Sequence, residues 1–528
     1  MMKRYLTVAI LLASGLCSFA QSINSTVDVS NDFAASFSAA DRKDIPMSSP
    51  DSLRQFRKDF DYSVFENPYK GSYEFVSDYV TPRDSNRFFS GKKFYLNAGA
   101  GWTLHPVLQA VYSPVGGNSP KFQMSIFQDG RGYYGKYEGL ESDCLNFSEE
   151  FGVNMHAALR KMDFKAEVSY KGLFAGPVGG IGNTNAASVR LGFCTVNPKY
   201  LEFKADLGGH YAWLPGGGRE AFFDARLTVE PKLRKSFRFP LDIEASGSPE
   251  QKLYNFAILP HIRLSLGPLD LNAGVRLAYL NNPYQTEARP LKFSPDVHAV
   301  LNLFKGVLTV YVDADGNSSV YSALDAASHN HFITLPRAGA VDNNLRLQGG
   351  LRGRISSRFH YDLKGGYSIF RSAPLDSVPS ESCGISDVPF KLIFADAALV
   401  WRSERVDANV GVHYRRTDID GDFRYFDLPS FSGSAEITFN WERRIFAGIN
   451  CEASTVRVGG FKTAPDVASA ERYELPSYID LGVYAEYKFT RAFSVWAKGQ
   501  NLLNRKIYRI PVYAEPGIYA TGGIKLNF

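Results

Sequence analysis

Two neighbouring segments at the end of the chain alternate apolar and polar side chains. Residues 493–500 read FSVWAKGQ, and residues 517–528 read GIYATGGIKLNF. In both segments every second residue is apolar or small, and the second segment ends on Phe528. A period of two is the pattern of a β-strand that has one apolar face. The sequence therefore predicts two strands here, the last of them running to the final residue.

The same alternation fills the chain from about Phe94 onward. In residues 162–172 and 201–210 an apolar set opposes a charged set, and the charged faces carry both signs. In a membrane barrel the apolar face meets lipid and the polar face lines a wet lumen, so no second sheet is needed to cover it. A soluble sandwich of so many strands would need domain breaks, and the pattern contains none. We predict an all-β fold, a transmembrane antiparallel β-barrel over residues 92–528.

Tight and long connections alternate along this region. Long loops are predicted at 127–149, 323–343, 372–388, 459–476 and 504–516. Tight turns are predicted near 161, 197–199, 234–236, 267–268, 305–306, 356–357, 403–404, 443–444 and 490–492. Short periplasmic turns and longer outer loops are typical of outer-membrane barrels. The turns join about eighteen strands, the last segment adds one and residues 94–127 hold roughly three, which gives about 22 strands (roughly 20 to 22).

The first twenty residues have the features of a secretory signal peptide. Lys3 and Arg4 precede an apolar run that ends at Leu16, and a small-x-small site ends at Ala20. Cys17 does not fit a lipobox, because Leu16 stands where a small residue is needed. No later apolar run reaches the roughly eighteen residues of a membrane-spanning helix. We expect export and a final location in the bacterial outer membrane.

Residues 21–91 are predicted to form an N-terminal periplasmic arm that is partly disordered. Residues 21–49 have no period, whereas residues 51–82 are rich in aromatic side chains. A barrel of this size has a wide lumen that would leak small solutes if nothing filled it. The filling material is the arm, an inward-folded loop or another protein. The candidates for lumen occlusion in the arm are Phe60, Tyr62, Phe65, Tyr69, Tyr73 and Phe75.

Several functional classes are disfavoured by the sequence. The formal net charge is only +5, without the clustered basic stretches of a nucleic-acid-binding protein. GxSxG, HExxH and Walker motifs are absent, and the glycine-rich residues 176–182 follow a strand instead of opening a helix. The sequence therefore predicts no enzyme activity and no cofactor.

Two Asp-Gly segments are weak calcium candidates. Residues 313–317 read DADGN and residues 418–422 read DIDGD, with some of the carboxylate spacing of calcium loops. Both lack the glutamate at the twelfth loop position, and Asp-Gly is also a common turn dipeptide, so turn chemistry is favoured. The candidate ligands are Asp313, Asp315, Asp418, Asp420 and Asp422.

The cysteines do not form a framework. Cys144 and Cys383 lie in apparent loops on one side of the barrel, and whether they pair stays open. Cys194 and Cys451 lie in apparent strands. No CxxC or CxxH pair indicates a metal or redox site.

The C-terminal region resembles the final hairpin of TonB-dependent receptors. Asn501-Leu502-Leu503-Asn504 matches the N-L-(L/F)-(N/D) motif of that family, whereas the Arg of its terminal G-R-x-(Y/F) motif is missing. Phe528 resembles the assembly signal of outer-membrane barrels. The resemblance implies a transporter barrel of about 22 strands. It also implies two partners, outer-membrane lipids and, through the last strand, the barrel assembly machinery.

The N-terminal part departs from this family. TonB-dependent receptors carry a plug domain with an energy-coupling box, and neither is recognisable in residues 21–91. Residues 60–75 with 94–102 resemble instead a group of plugless, receptor-like barrels. Two functions follow: transport of a nutrient or solute, with a surface lipoprotein or other envelope protein as partner, or a non-transporting scaffold role in an outer-membrane assembly or export complex. Transport ranks slightly ahead.

Overall fold

A computed structural model describes residues 93–528 apart from short gaps. The gaps are 103, 115–121, 137–142, 160, 177–181, 197, 199, 232–236, 285–288, 305–306, 331–332, 334, 378–383, 420–427, 461–471, 510–513 and 516. The described part is almost entirely antiparallel sheet, with one short α-helix, α1 (Ala323–His329), and one 3₁₀ turn (Pro215–Gly217). Among the described residues no helix is long and apolar enough to cross a membrane.

The strands follow one another up and down along the chain. Their bounds are β1 Phe94–Trp102, β2 Val107–Tyr112, β3 Phe122–Lys136, β4 Asp143–Ala158, β5 Met162–Gly176, β6 Thr184–Thr195, β7 Leu201–Trp213, β8 Arg219–Pro231, β9 Phe237–Arg238, β10 Leu241–Ser248, β11 Leu253–Leu266, β12 Leu269–Asn281, β13 Leu291–Asn302, β14 Thr309–Tyr321, β15 Gly339–Arg354, β16 Phe359–Ser377, β17 Gly384–Arg402, β18 Val406–Ile419, β19 Phe431–Trp441, β20 Ile445–Ser454, β21 Arg457–Gly460, β22 Arg472–Leu475, β23 Tyr478–Lys488, β24 Phe493–Gln500 and β25 Tyr519–Asn527.

Of these 25 segments, 23 form a closed barrel of 22 strands. Strands β21 and β22 form a separate two-stranded sheet, and β9 and β10 both pair with β11 as one interrupted wall strand. The last strand, β25, pairs antiparallel with β1 and closes the ring. The predicted fold class and strand number are confirmed. Because the number is even, both ends of the wall lie at the rim with the tight turns, which in such barrels is the periplasmic rim.

The wall has an apolar outer face and a polar inner face. On β7 the outward residues Leu201, Leu207 and Trp213 are all more than 40% exposed, whereas the inward Ala212 is fully buried. Glu202, Lys204 and Asp206 share the inward face, as the sequence pattern predicts. Lipid covers such an outer face without the help of a second sheet.

At the outer rim the strands continue into regions predicted as loops. Strand β3 runs to Lys136, β4 begins at Asp143, β16 runs to Ser377 and β17 begins at Gly384. The hairpin β21–β22 begins at Arg457 and overlaps the predicted loop 459–476. Beyond the membrane the outer face meets water, so the apolar period disappears while backbone pairing continues. The predicted loops at 127–149 and 372–388 are therefore too long.

The outer part of the β14–β15 pair leaves the wall and folds inward. The β14–β15 ladder shifts register between Asp315 and Asn317, and the β15–β16 ladder shifts between Asp342 and Leu345. Gly316 sits at the first shift, and a Cβ there would lie 2.6 Å from the carbonyl oxygen of Asn344. We call Asn317–Tyr321, α1 and Gly339–Asn343 the lumen hairpin.

Candidate functional site: the barrel lumen

A chain of acidic and imidazole side chains lines one part of the inner wall. His261 of β11 is only 4% exposed and lies between Asp242 of β10 (3.4 Å from Nε2) and Asp296 of β13 (3.7 Å from Nδ1). The ring crosses β12 at Gly274, where a Cβ would fall 2.6 Å from Nδ1. Glycine at position 274 thus lets His261 of β11 reach Asp296 of β13 across the intervening strand β12.

The chain continues toward β14. His298 contacts Asp296 at 2.7 Å through Nε2 and Asp313 at 2.9 Å through Nδ1. The second carboxylate oxygen of Asp313 accepts a bond of 2.6 Å from the amide of Gln348 on β15. Asp313 is therefore matched by donors from both neighbouring strands, whereas Asp296 is matched by His298 of its own strand.

A second cluster on the inner wall is centred on Asp396 of β17. Its carboxylate contacts His413 at 2.7 Å, Arg415 at 2.6 Å and Lys364 at 3.7 Å. With the acidic and imidazole chain, this cluster makes the lumen polar with both signs of charge. The mixture gives no single-sign ring of the kind that selects ions by charge.

One face of the lumen hairpin is bonded to strands β11–β13. Ser318 exchanges two hydrogen bonds with Asn255, at 2.9 and 3.0 Å, and its carbonyl oxygen also accepts a bond of 3.0 Å from Arg276. Lys292 pairs with Asp342 at 2.8 Å, with side chains only 6% and 4% exposed. Because Asn255 lies three strands away from Ser318 along the sheet, the hairpin must cross the inner surface of the wall.

Helix α1 is bonded to a more distant part of the wall. The fully buried carboxylate of Glu220, on β8, accepts hydrogen bonds from the backbone amides of Ala323 (3.0 Å) and Leu324 (3.3 Å). Ser322 and Asp325 complete a capping box at the same end. A carboxylate satisfies the unpaired amides of a helix N-terminus and favours its dipole. Glu220 therefore links the hairpin to β8.

The opposite face of the lumen hairpin packs on β16 and β17. Asp387 accepts bonds from the Tyr321 hydroxyl (2.6 Å) and the Ala340 amide (3.2 Å). Beside it lies an apolar cluster formed by Tyr321, Ala326, Ile333, Val341, Phe370, Ala373, Leu375, Val388, Phe390, Leu392, Phe394 and Leu428. The hairpin is thus packed between two stretches of inner wall and buried on both faces.

The described part of the connection between β24 and β25, residues 501–509, 514–515 and 517–518, also lies on the inner wall. Arg509 contacts Glu452 of β20 (3.0 Å), Asp480 of β23 (3.1 Å) and Glu515 of its own loop (2.6 Å). Its guanidinium also stacks over the ring of Tyr478, 5.3 Å from the centroid. We call this segment the Arg509 loop.

The N-L-L-N motif begins the Arg509 loop and has a structural role there. Asn501 and Asn504 have φ of 47° and 49°, a left-handed conformation that asparagine tolerates better than most residues. The Asn501 side chain accepts a bond of 3.0 Å from the backbone N–H of Arg505 and donates one of 2.8 Å to its carbonyl oxygen. The backbone N–H of Asn501 donates to Asp480 at 3.0 Å. The motif turns the chain from β24 onto the inner wall.

Aromatic residues close the barrel seam. The Phe94 and Phe528 rings stack at 5.3 Å, and the two residues exchange backbone hydrogen bonds of 2.7 and 2.9 Å. On the inner face Trp496 of β24 reaches across β25 to donate a 2.7 Å bond to Asn97 of β1. A Cβ at Gly99 would lie 2.6 Å from the indole, so the ring needs glycine beneath it. Phe528 thus has a place at the seam, while its role as an assembly signal stays a prediction.

The first calcium candidates lie within a strand. Asp313–Asn317 belongs to β14 and does not form a turn, because antiparallel pairing with β15 continues past the bulge at Gly316. Asp313 is bonded to His298, and Asp315 to Arg346. Asp418 lies in β18, and Asp420 and Asp422 lie outside the described residues. Within the described part of the chain no group of three or more His, Cys, Asp or Glu side chains is arranged to hold a metal ion.

Other candidate residues lie outside the described part of the chain. These are the aromatic candidates Phe60, Tyr62, Phe65, Tyr69, Tyr73 and Phe75, as well as Cys383 and the side chain of Cys144. Cys194 and Cys451 are unpaired thiols in β6 and β20, which confirms their prediction as strand residues.

Sequence reasoning missed the residues that hold the lumen hairpin. The period-2 pattern places Glu220, Asn255 and Lys292 on the lumen face but cannot say which loop meets them. One signal was present: Ser322-x-x-Asp325 followed by an alanine-rich run is a helix start within an otherwise strand-rich chain. It identifies α1 but not its position in the barrel.

Solved structures share this fold at low sequence identity. The copper transporter OprC is 13% identical and covers 83% of this chain and 80% of its own, with a TM-score of 0.57. The FrpB iron transporter from Neisseria meningitidis is 10% identical, covers 83% and 82%, and has a TM-score of 0.61. The ferripyoverdine receptor of the outer membrane of Pseudomonas aeruginosa is 10% identical, covers 83% and 72%, and has a TM-score of 0.55. No family model and no curated protein matches the sequence.

The barrel has the fold of TonB-dependent receptors. The predicted resemblance of the barrel is confirmed, although it rests on fold alone. A closed 22-stranded barrel with a lipid-facing apolar exterior belongs in the bacterial outer membrane, as predicted. The three neighbours are named as transporters or a receptor, and not as enzymes.

Proposed function

We propose that this protein is a transport barrel that carries a polar nutrient or solute across the outer membrane through its lumen. The observation that carries the proposal is the inner wall, where paired charges of both signs line a passage whose exterior is apolar. A polar lining keeps a lumen hydrated and gives a polar solute bonding partners along its path. The shared fold of a copper transporter and an iron transporter adds support for transport as a class.

Uptake by living cells tests this proposal. A strain lacking the protein is compared with one that expresses it, using a panel of labelled sugars, peptides and metal chelates at concentrations too low for general porins. We expect uptake of at least one solute class to fall in the deletion strain and to recover with the full chain. Equal uptake of the whole panel in both strains would overturn the proposal.

A scaffold role is the second candidate, and the lumen hairpin favours it. Because the hairpin is buried on both faces against the wall, it forms a rigid element inside the lumen. A rigid, partly filled barrel suits a fixed subunit of an outer-membrane assembly or export complex. Isolation in mild detergent followed by mass spectrometry separates the two roles. A stoichiometric set of envelope proteins would support the scaffold, whereas a lone barrel or one with a single surface lipoprotein would support transport.

We also propose the domain boundaries that the sequence predicts: a signal peptide at residues 1–20, an arm at 21–91 and a barrel at 92–528. We propose that the aromatic part of the arm contributes to occlusion. Deletion of residues 51–82 tests this, because single-channel conductance should rise if these residues obstruct the passage. An unchanged conductance would show that the arm does not occlude the lumen. Replacement of Phe528 by Ala, followed by measurement of membrane insertion, tests its proposed role as the signal for the barrel assembly machinery.

A further inference from the structure

The lumen hairpin has the properties of an element that can move, and not only those of one that permanently occupies the lumen. Its two strands leave the wall at the same level, where both ladders lose register, and Gly316 allows the close backbone approach at the bend. A hinge needs a few positions that absorb a change in backbone angles. The register shifts of β14 and β15 provide such positions on both strands.

Polar bonds at separate points hold the hairpin against the wall. These are Glu220 to the amides of α1, Asn255 and Arg276 to Ser318, Lys292 to Asp342, and Asp387 to Tyr321 and Ala340. Water can replace these polar bonds when the hairpin moves. Opening also exposes two small apolar clusters on the same side, which join Val320 to Leu253 and Leu280, and Ala323 and Leu324 to Ala186, Ala212 and Leu214.

The closed position also leaves some polar atoms unsatisfied. Within the described part of the chain, Ser319 Oγ and Asn343 Oδ1 of the hairpin and Nε of Arg276 are buried without a hydrogen-bond partner. Burial of a polar atom without a partner is unfavourable, and hydration on opening would remove that cost. A permanent plug would gain by replacing such atoms with apolar ones.

We propose that the lumen hairpin is the gate of the passage, with Glu220 and the Lys292–Asp342 pair as its latches. The proposal rests on the proposed transport function and specifies how the same lumen is regulated. In the latched position the hairpin narrows the outer half of the lumen. Loss of a latch shifts the equilibrium toward an open position in which the hairpin swings away from strands β8–β13.

Single-channel recording of the full chain in planar lipid bilayers tests the gate. The release variants are Glu220→Ala and Lys292→Met, and the matched control is Asp206→Ala, which removes one inward carboxylate of β7 outside the hairpin contacts. Loss of one charge-assisted contact should raise the ratio of open to closed time on the order of tenfold. The control should behave like the unmodified protein.

A reversible cross-link gives a second test. Ser318 Oγ and Asn255 Oδ1 lie 2.9 Å apart, so the double variant Ser318→Cys with Asn255→Cys places two thiols beside each other, and mass spectrometry of the oxidised protein verifies that they have joined. Oxidation should abolish openings and reductant should restore them, with oxidised unmodified protein as the control for native cysteines. Heat-modifiable electrophoretic mobility verifies that each variant is folded, and if a release variant fails to fold, the cross-link decides alone.

The outcomes separate the gate from the transport function. The gate would be overturned by two results together. The release variants would fold but conduct like the unmodified protein, and oxidation of the double cysteine variant would leave its openings unchanged. If that result accompanied protein-dependent uptake by cells, transport would stand without this gate. Gated conductance without any protein-dependent uptake would leave the gate in place and remove the transport function.

Discussion

The lumen hairpin and the Arg509 loop both lie against the inner wall, but different forces hold them. A large apolar cluster covers one face of the hairpin, and buried polar contacts together with two smaller apolar clusters hold the other. In the Arg509 loop one guanidinium meets three carboxylates, and the side chain of Ile507 is fully buried. The difference teaches that an inward loop can be fixed mainly by removal of apolar surface from water or with one charged centre as its main polar contact. Charge screening by salt weakens the second and does not weaken the first.

The largest effect is expected from the apolar support of the hairpin. Phe390 is 2% exposed and stacks on Phe370 with centroids 4.7 Å apart. Replacement by Ala should lower the free energy of unfolding by about 3–5 kcal/mol, because the site cannot collapse around the cavity. Urea unfolding in lipid vesicles measures it. The control Phe293→Ala, on the lipid face and 69% exposed at the protein surface, should lose only about 1–2 kcal/mol, because it gives up transfer from water to lipid but leaves no cavity. Equal losses would remove the distinction between the faces.

The second effect concerns the charged centre. Arg509→Ala should destabilise the attached loop by about 2 kcal/mol, since three carboxylates lose their common partner. Arg509→Lys should recover only part of this, because an ammonium cannot match the planar fork of guanidinium. Trypsin cleavage after the exposed Arg505 and Lys506 reports loop release. Cleavage that is as slow in Arg509→Ala as in the turn variant Arg443→Ala would contradict this role.

High salt should distinguish the attachment of the lumen hairpin from that of the Arg509 loop, with a smaller effect than either substitution. At 1 M salt the Debye length falls to about 3 Å, so partly exposed charges are screened while apolar burial is not. We expect a several-fold faster cleavage of the Arg509 loop and an unchanged fluorescence from a dye attached at the exposed Leu335 of the β14–β15 connection. A dye signal that changes in parallel with cleavage would show that both elements depend on charge.

The smallest effect is expected at the start of the Arg509 loop. Asn504 has φ of 49°, and its side chain accepts only a long 3.4 Å bond from the amide of Ile518. Asn504→Gly should change stability by less than about 0.5 kcal/mol, whereas Asn504→Ala should cost about 1 kcal/mol. Urea unfolding of both variants measures the difference. A larger loss for Gly than for Ala would show that the side-chain bond matters more than the backbone angle.

Much of the fold could be predicted because its signals are local. Period-2 alternation identified the strands and their two faces, the tight turns counted about eighteen of them, and the length of residues 94–127 gave roughly three more. The N-L-L-N motif marked the start of the Arg509 loop. Predictions failed at the outer rim, where β3, β4, β16 and β17 extend beyond the membrane, and at Asp313–Asn317, where a turn dipeptide lies within a strand at a bulge.

The sequence by itself determined that this chain is a barrel with an apolar exterior and a charged lumen, because side-chain alternation follows directly from strand geometry. Only the tertiary structure decided what lies inside. The contacts of Glu220 with α1, of Lys292 with Asp342 and of Arg509 with Glu452 join residues that are distant in the chain. No local pattern encodes such pairs, since their attraction becomes effective only after the closed wall has brought them together.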